Sequence, residues 1–315
     1  MSQVHKTQSI LVVGSLAYDS IQTPAGKAEK TLGGSANYFS LAASMSAQVR
    51  LVGVVGEDYS EGDQQLLLKR NVDLAGLQKV PGKTFHWEGS YNDNLNEAQT
   101  LKTELNVFEH FNPQLPAHYQ DSDFVFLANI APGLQLKVLE QVQQPILIGL
   151  DTMNFWIASQ KETLLKVIPK TDIVLINEGE ARLLTGKSNA VAAAPEIAKL
   201  GAKFVVVKRG EYGFVLFNAD HGYHILPAFP IPEVVDPTGA GDTFAGGFFG
   251  YLAKNVTREG AKNTTGLWSH LQKACVQGSL LASYTIQDFG VKALAKVQPE
   301  ALESRSQQYH KVIGR

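Results

Sequence analysis

The chain has 315 residues, of which 44% are hydrophobic, and a formal net charge of −2. It can therefore bury a large core, and it lacks the global positive field that attracts nucleic acid or anionic membranes. Its single cysteine, Cys275, excludes an internal disulfide and fits a reducing compartment. No apolar run approaches the ~18 residues of a membrane span. We expect a cytoplasmic protein with neither a nucleic-acid nor a membrane partner.

Short apolar runs rich in β-branched residues recur along the chain, at 10–14, 49–55, 124–128, 146–150, 173–177, 203–208 and 213–217. Such continuous runs are typical of strands that are buried on both faces, as in a parallel sheet. Helical patterns lie between or after them, at 35–46, 64–70, 134–142, 196–200, 240–253, 267–285 and 299–310. This alternation predicts a three-layer α/β/α sandwich with a mostly parallel central sheet.

Two segments interrupt the alternation. Residues 15–32 are polar, and residues 83–108 alternate only partly and carry Phe85, Trp87 and Tyr91. Loops of this length in a compact domain are usually functional, so we predict that both segments form a small β-rich lid. The aromatic residues could cover an acceptor, pack within the lid or face a second copy in a homodimer. The predicted core consists of residues 1–14, 33–82 and 109–315.

The stretch "VVDPTGAGDTFAGGFFGYLA", residues 234–253, combines a glycine-rich turn with the start of an apolar helix. Gly239 and Gly241 expose backbone N–H groups where the helix dipole favours an anion. Asp242 places a carboxylate in the same turn. A hydroxyl held between them would meet a base and a charge stabiliser, as phosphoryl transfer requires. A simple helix cap explains each feature alone, but it does not require the second aspartate, Asp236.

Two other phosphate-binding motifs fail on their spacing. The segment "LTGKS", residues 184–188, has its preceding glycine, Gly179, seven residues before Gly186, whereas a P-loop needs five. The "GAGDTFAGG" segment has Phe244 where a dinucleotide fingerprint needs glycine, and it lies far from the first strand. A dehydrogenase is therefore disfavoured.

Three motifs resemble those of one family. "DPTGAGDTFAGGF" (236–248) closely resembles the C-terminal motif of the ribokinase-like, or PfkB, carbohydrate and nucleoside kinases. Residues 33–63 resemble the family's N-terminal motif, and "NEGEARLLTG" (177–186) resembles its N-x-x-E motif, in the family's order. The resemblance implies a kinase that uses ATP and Mg²⁺ to phosphorylate a sugar hydroxyl. A ribonucleoside acceptor is the alternative. A non-catalytic sugar or nucleotide sensor is less favoured, because it tends to lose the base or the anion hole.

The resemblance also implies roles for individual residues. Asp242 is the catalytic base, and the anion hole is the backbone of Gly239, Ala240 and Gly241. Acceptor hydroxyls are held by Asp19, Gly33, Gly34 and Asn37. Few cationic residues lie in the two predicted lid segments, which disfavours a phosphorylated sugar.

On the nucleotide side, the resemblance implies contacts from Asn177, Lys208, Gly210 and Gly213. Glu180 holds Mg²⁺ through water, although Asn177 and Glu180 also have the spacing of a helix capping box. Many relatives have threonine at the position of Lys208, so this lysine either contacts phosphate or is a surface residue at a strand end. Asp236 and Thr238 match a site for a monovalent cation such as K⁺, or else Asp236 only fixes the turn.

Overall fold

A computed structural model describes residues 8–314, so residues 1–7 of the predicted core lie outside the described residues. The strands are β1 (Ser9–Val13), β2 (Ala17–Thr23), β3 (Gly26–Gly33), β4 (Gln48–Val55), β5 (Val72–Lys79), β6 (Phe85–Ser90), β7 (Gln99–Glu104), β8 (Phe124–Leu127), β9 (Leu147–Leu150), β10 (Ile173–Asn177), β11 (Phe204–Lys208), β12 (Phe214–Asn218) and β13 (Gly222–Leu226).

The helices of the described region are α1 (Ser35–Ala43), α2 (Glu61–Lys69), α3 (Pro132–Leu139), α4 (Asn154–Ser159), α5 (Lys161–Val167), α6 (Glu178–Thr185), α7 (Ala190–Lys199), α8 (Ala240–Asn255), α9 (Arg258–Lys262), α10 (Thr264–Thr285), α11 (Lys292–Lys296) and α12 (Pro299–Val312). Within residues 8–314, no helix is long and apolar enough to cross a membrane.

Nine strands form the main sheet in the order β13-β12-β11-β10-β9-β8-β1-β4-β5. All neighbours pair in parallel except β12, which is antiparallel to both β11 and β13. Because side chains alternate along a strand, β1 contributes to two apolar clusters. Ile10 and Val12 pack with α1, α8 and α10, whereas Leu11 and Val13 pack with α3, α5, α6 and α7. The predicted α/β/α sandwich is confirmed.

A separate four-stranded sheet has the order β3-β2-β6-β7 and comes from the two segments that interrupt the alternation. Its central pair, β2 and β6, is parallel and places Asp19 opposite Trp87. The ring of Phe85 stacks on Phe108 at 5.4 Å, and Phe108 stacks on Phe111 at 5.6 Å. Phe85 therefore joins the lid sheet to the core. The small β-rich lid is confirmed as part of the fold, while the exact domain boundaries stay a prediction.

Glycines on α8 allow it to pack closely between two other helices. A side chain at Gly246 would overlap the carbonyl oxygen of Phe39 on α1, and one at Gly247 would lie 3.0 Å from the Cα of Gly278 on α10. One turn further along, a side chain at Gly250 would lie 3.1 Å from the carbonyl oxygen of Ala43. The apolar "FAGGFFG" run thus fixes α8, and with it the preceding turn, against α1.

Candidate active site

The start of α8 provides an open anion cradle. Gly239 caps the helix with φ 74°, and a side chain there would overlap the ring of Tyr38. The Ala240 N–H donates to the Pro237 carbonyl at 3.2 Å, whereas the N–H groups of Gly241 and Asp242 have no protein partner among the described residues. Free N–H groups at a helix start carry partial positive charge. This turn can therefore bind a phosphate group.

The Asp242 carboxyl lies in the first turn of α8 and is partly exposed to the cleft. Burial raises its pKa to about 7, with the negative charge of Asp151 adding to the effect and the Lys208 ammonium opposing it. A carboxyl that titrates near neutral pH is well matched to accept a proton from a hydroxyl during the reaction. Its position beside the free N–H groups places a base next to a charge stabiliser.

Lys208 lies at the end of β11, directly opposite Asn177 at the end of β10. Its Nζ donates to Asp151 Oδ2 at 2.9 Å, and the two side chains are only 14% and 6% exposed. A methyl group added at Gly241 would lie 3.0 Å from Lys208 Nζ. The ammonium is thus buried at the anion cradle, and the alternative of a surface lysine is wrong.

The predicted capping box is present at the start of α6. The Asn177 N–H donates to Glu180 Oε2 at 2.9 Å, and the Glu180 N–H donates to Asn177 Oδ1 at 2.8 Å. Burial raises the pKa of Glu180 to about 8, with Asp151 adding to the effect and Lys208 opposing it. The cap occupies one carboxylate oxygen, and Oε1 has no hydrogen-bond partner among the described residues. The helix-cap reading therefore holds, and one oxygen stays available for water.

Asp19 and the paired glycines meet at the junction of lid and core. The Asp19 carboxylate fills the space that a side chain at Gly33 would need. Gly34 has φ 86°, and a Cβ there would lie 2.6 Å from the carbonyl oxygen of Ser15. Burial raises the pKa of Asp19 to about 8, with Asp236 adding to the effect. The structure therefore brings the predicted acceptor residues Asp19, Gly33 and Gly34 into contact, with the Asp19 carboxylate on β2 lying against the glycine turn.

Asn37 is held differently from the other predicted acceptor residues, because its side chain is 0% exposed. Its Nδ2 donates to the Gly33 carbonyl at 2.6 Å, and its Oδ1 accepts from the Tyr59 hydroxyl at 3.1 Å. These bonds stabilise the glycine turn from its buried side. Only the second hydrogen of Asn37 Nδ2 could still contact an acceptor, and that contact stays a prediction.

Asp236 is 1% exposed and holds two loops together. Its Oδ1 accepts from the Thr238 N–H at 2.9 Å, and its Oδ2 accepts from the Gly290 N–H at 3.0 Å. The Thr238 hydroxyl donates to the lid residue Tyr91 at 3.2 Å. This geometry supports the turn alternative for Asp236, and the monovalent-cation site at Asp236 and Thr238 stays a prediction.

The turn after β11 contacts the lid. Gly210 has φ 55° and Gly213 has φ 83°, which are left-handed values that favour glycine. The amide of Asn96, in the loop between β6 and β7, donates to Glu211 Oε2 at 2.8 Å, and its Oδ1 fills the space above Gly210. The predicted nucleotide turn and the tip of the lid are therefore in contact.

A sequence model described as "pfkB family carbohydrate kinase" matches residues 7–297. The chain belongs to the PfkB carbohydrate kinase family. A cytidine kinase of Thermococcus kodakarensis is 31% identical over 245 residues, which cover 76% of this chain and 86% of the relative.

Solved structures of two nucleoside kinases share the fold. The enzyme of Methanocaldococcus jannaschii has a TM-score of 0.73 at 20% identity and covers 96% of this chain and 99% of its own. The enzyme of Burkholderia thailandensis, in complex with inosine, has a TM-score of 0.75 at 18% identity and covers 97% and 98%. The predicted phosphotransferase with an alcohol acceptor, acting on a sugar or nucleoside with ATP, is confirmed.

Several residues of this kinase site receive no individual role from the sequence. Asp151 directly follows β9 at the carboxyl edge of the sheet, where ligands bind in open α/β folds, and that position is the signal for it. The Tyr38 hydroxyl is buried without a hydrogen-bond partner, and its pKa is raised first by burial and then by the charges of Asp19 and Asp236. Asn96 is a lid-loop contact that no motif marks.

The rejected P-loop segment has a plain structural role in the kinase. Residues 184–188 lie at the end of α6, where Gly186 caps the helix with φ 73°. Its N–H donates to the Arg182 carbonyl at 2.8 Å. The glycine is therefore a helix stop and does not cradle phosphate.

Proposed function

We propose that the kinase transfers the γ-phosphate of ATP in line to a hydroxyl of a neutral acceptor, with Asp242 as the base. The free N–H groups of Gly241 and Asp242, together with the Lys208 ammonium, stabilise the charge on the transferring group, whereas the Ala240 N–H of the predicted anion hole donates to the Pro237 carbonyl. The observation that carries this proposal is the Asp242 carboxyl, whose pKa is raised to about 7, in the same helical turn as the unpaired N–H groups. A base of this kind contributes about 10²–10⁴-fold to the rate.

The charge of the cleft supports an acceptor without phosphate. On the acceptor side, the charges of Asp236 and Asp242 raise the pKa of Asp19 beyond the effect of burial. The cation at the cradle, Lys208, already faces Asp151. A phosphorylated sugar would bring about two further negative charges to these carboxylates, which costs binding energy in a partly buried site.

Among neutral acceptors, we favour a ribonucleoside over a free sugar. The half-buried Trp87 ring lies beside Asp19 on the same face of the lid, because the two residues are paired in register. Its indole N–H donates to Thr100 Oγ1 at 3.2 Å and its ring covers Gly89. A planar base can pack against such a ring while Asp19 accepts hydrogen bonds from ribose hydroxyls. The similarity to a cytidine kinase supports the same choice.

Mg²⁺ enters as the complex with ATP in this scheme. Residues 8–314 contain no group of three or more His, Cys, Asp or Glu side chains placed to hold a metal ion. Mg²⁺ commonly binds through phosphates and keeps several waters, so it does not require such a group of protein ligands. Glu180 would hold one of those waters through Oε1, and the bound ion would neutralise charge on the phosphates.

Replacing K⁺ in the assay by a large organic cation tests the alternative roles of Asp236. Loss of activity supports a cation site at Asp236 and Thr238, and unchanged activity supports the turn role.

A homodimer through the lid, a cytoplasmic location and the absence of nucleic-acid and membrane partners stay predictions from the sequence.

A coupled assay of ADP release over matched acceptors tests the proposal. The panel contains cytidine, uridine, adenosine, inosine, ribose, fructose and fructose 6-phosphate, each with wild-type protein and with Asp242→Asn. We expect turnover of at least one nucleoside, weaker turnover of free sugars and none of the phosphosugar. Turnover of the phosphosugar alone would contradict the neutral acceptor, and equal rates for Asp242→Asn would contradict the base.

A further inference from the structure

The ion pair between Lys208 and Asp151 crosses one strand of the main sheet. Lys208 ends β11, Asp151 follows β9, and β10 lies between them. Neighbouring strands are about 4.8 Å apart, so the two backbones are separated by about 10 Å. Only a long side chain bridges this gap to give the observed Nζ–Oδ2 distance of 2.9 Å. A threonine at position 208 would not reach Asp151.

The pair is directed toward the start of α8. Lys208 Nζ lies against Gly241, because a Cβ added at Gly241 would be only 3.0 Å from this nitrogen. An ammonium has three N–H donors, and among the described residues only Asp151 accepts from it. Its other donors are therefore available to an anion in the cradle.

We propose that Asp151 is a positioning residue, which holds the Lys208 ammonium against the N-terminus of α8 so that Lys208 binds the γ-phosphate of the nucleotide. This inference rests on the proposed function, because it assumes that the cradle receives the transferring group. It gives Asp151 a role through Lys208, with no contact between Asp151 and the nucleotide.

The local charges support this role. Burial by itself lowers the pKa of the Lys208 ammonium, but the carboxylates of Asp151 and Glu180 outweigh it and keep the pKa above its ordinary value. Without Asp151 the ammonium loses both its hydrogen-bond partner and its strongest neighbouring charge. It would then be less charged and free to leave the cradle.

The test combines three variants: Asp151→Asn, Lys208→Met and the double variant. The matched control is Lys203→Met, which breaks the 2.7 Å pair of Lys203 and Asp172 beside the opposite end of β11. Calorimetry measures the binding of Mg²⁺ with a β,γ-imido ATP analogue, and separately with ADP, so that the γ-phosphate is read out without turnover.

We expect each single variant to weaken analogue binding by about tenfold or more, the size of a lost charged hydrogen bond, with a smaller effect on ADP. The double variant should bind the analogue within about threefold of Lys208→Met, because Asp151 acts through Lys208. Lys203→Met should bind both nucleotides normally. The proposal would be overturned if Asp151→Asn weakened analogue binding as much in the Lys208→Met background as in the wild type. It would also be overturned if the variants weakened the binding of the analogue and of ADP equally.

Two further outcomes are decisive. If Asp151→Asn raises the Mg²⁺ concentration needed even when Lys208 is Met, then Asp151 is a metal ligand and the proposal is wrong. If Asp151→Asn does not fold while the uncharged double variant does, the pairing is supported, because a buried ammonium without its partner is costly. Failure of the proposed function is seen separately, as wild-type protein that binds the analogue but phosphorylates no acceptor.

Discussion

Replacing Asp242 by Asn separates catalysis from stability at one position. The pKa of this carboxyl rises from 3.8 to about 7 on folding, so the folded protein binds its proton more tightly than the unfolded chain does. The ionised carboxylate therefore destabilises the fold, by an amount that grows as the pH rises from 3.8 and levels off above 7. Asn lacks this penalty but cannot accept the proton.

The size of the penalty follows from the shift of about three pKa units. At 1.36 kcal/mol per unit, the full cost is on the order of 4 kcal/mol, and at pH 5 somewhat less than half of it has appeared. We expect Asp242→Asn to be more stable than wild type at pH 8, and to gain less at pH 5. Its turnover should fall about 10²–10⁴-fold.

Urea unfolding at pH 5 and pH 8 measures the stability, and the coupled ADP assay on the best acceptor measures the rate. The wild-type rate should itself fall below about pH 7, as Asp242 becomes protonated. A stability gain that is equal at both pH values would refute the electrostatic reasoning. Turnover within tenfold of wild type would refute the role of base.

Three further variants test the rest of the site. Gly239→Ala places a side chain at φ 74° and against the Tyr38 ring. It should lower the free energy of unfolding in urea by about 1–3 kcal/mol and abolish turnover. Normal turnover would contradict the proposed anion cradle. Asp19→Asn should raise the KM for the acceptor about tenfold and leave the KM for ATP unchanged, and the reverse pattern would contradict its assignment. Asn96→Ala removes the 2.8 Å bond to Glu211 and should raise the KM for ATP a few-fold, measured with Glu97→Ala as control; equal effects of both variants would contradict the contact.

The sequence predicts the seven inner strands of the main sheet, because their apolar runs reflect burial on both faces. It misses β5 and β13, which lie at the two edges of the main sheet. Edge strands face solvent and carry polar side chains, as Asp73, Gln78 and His224 do here. Their pattern is therefore hard to separate from that of a loop.

The candidate site divides in the same way. Its glycines and Asp242 stand together in one short motif, so the sequence predicts them as a group. The pair of Asp151 and Lys208 is 57 residues apart and meets only because β9 and β11 flank β10. The contact of Asn96 with the nucleotide turn depends on how the lid folds over the core. Local patterns carry no information about either encounter.

The glycine contacts of α8 have a consequence for how acceptor preference can diverge. Gly246 and Gly250 seat α8 on the same helix, α1, that follows the acceptor turn at Gly33 and Gly34. The proposed phosphate cradle and the proposed acceptor turn are therefore attached to the same pair of packed helices, whereas Trp87 belongs to a separate sheet. If both assignments are correct, substitutions in the lid would change the surface that covers the acceptor and leave the cradle and the acceptor turn in place. Acceptor selectivity could therefore change through the lid while the residues proposed for phosphoryl transfer stay the same.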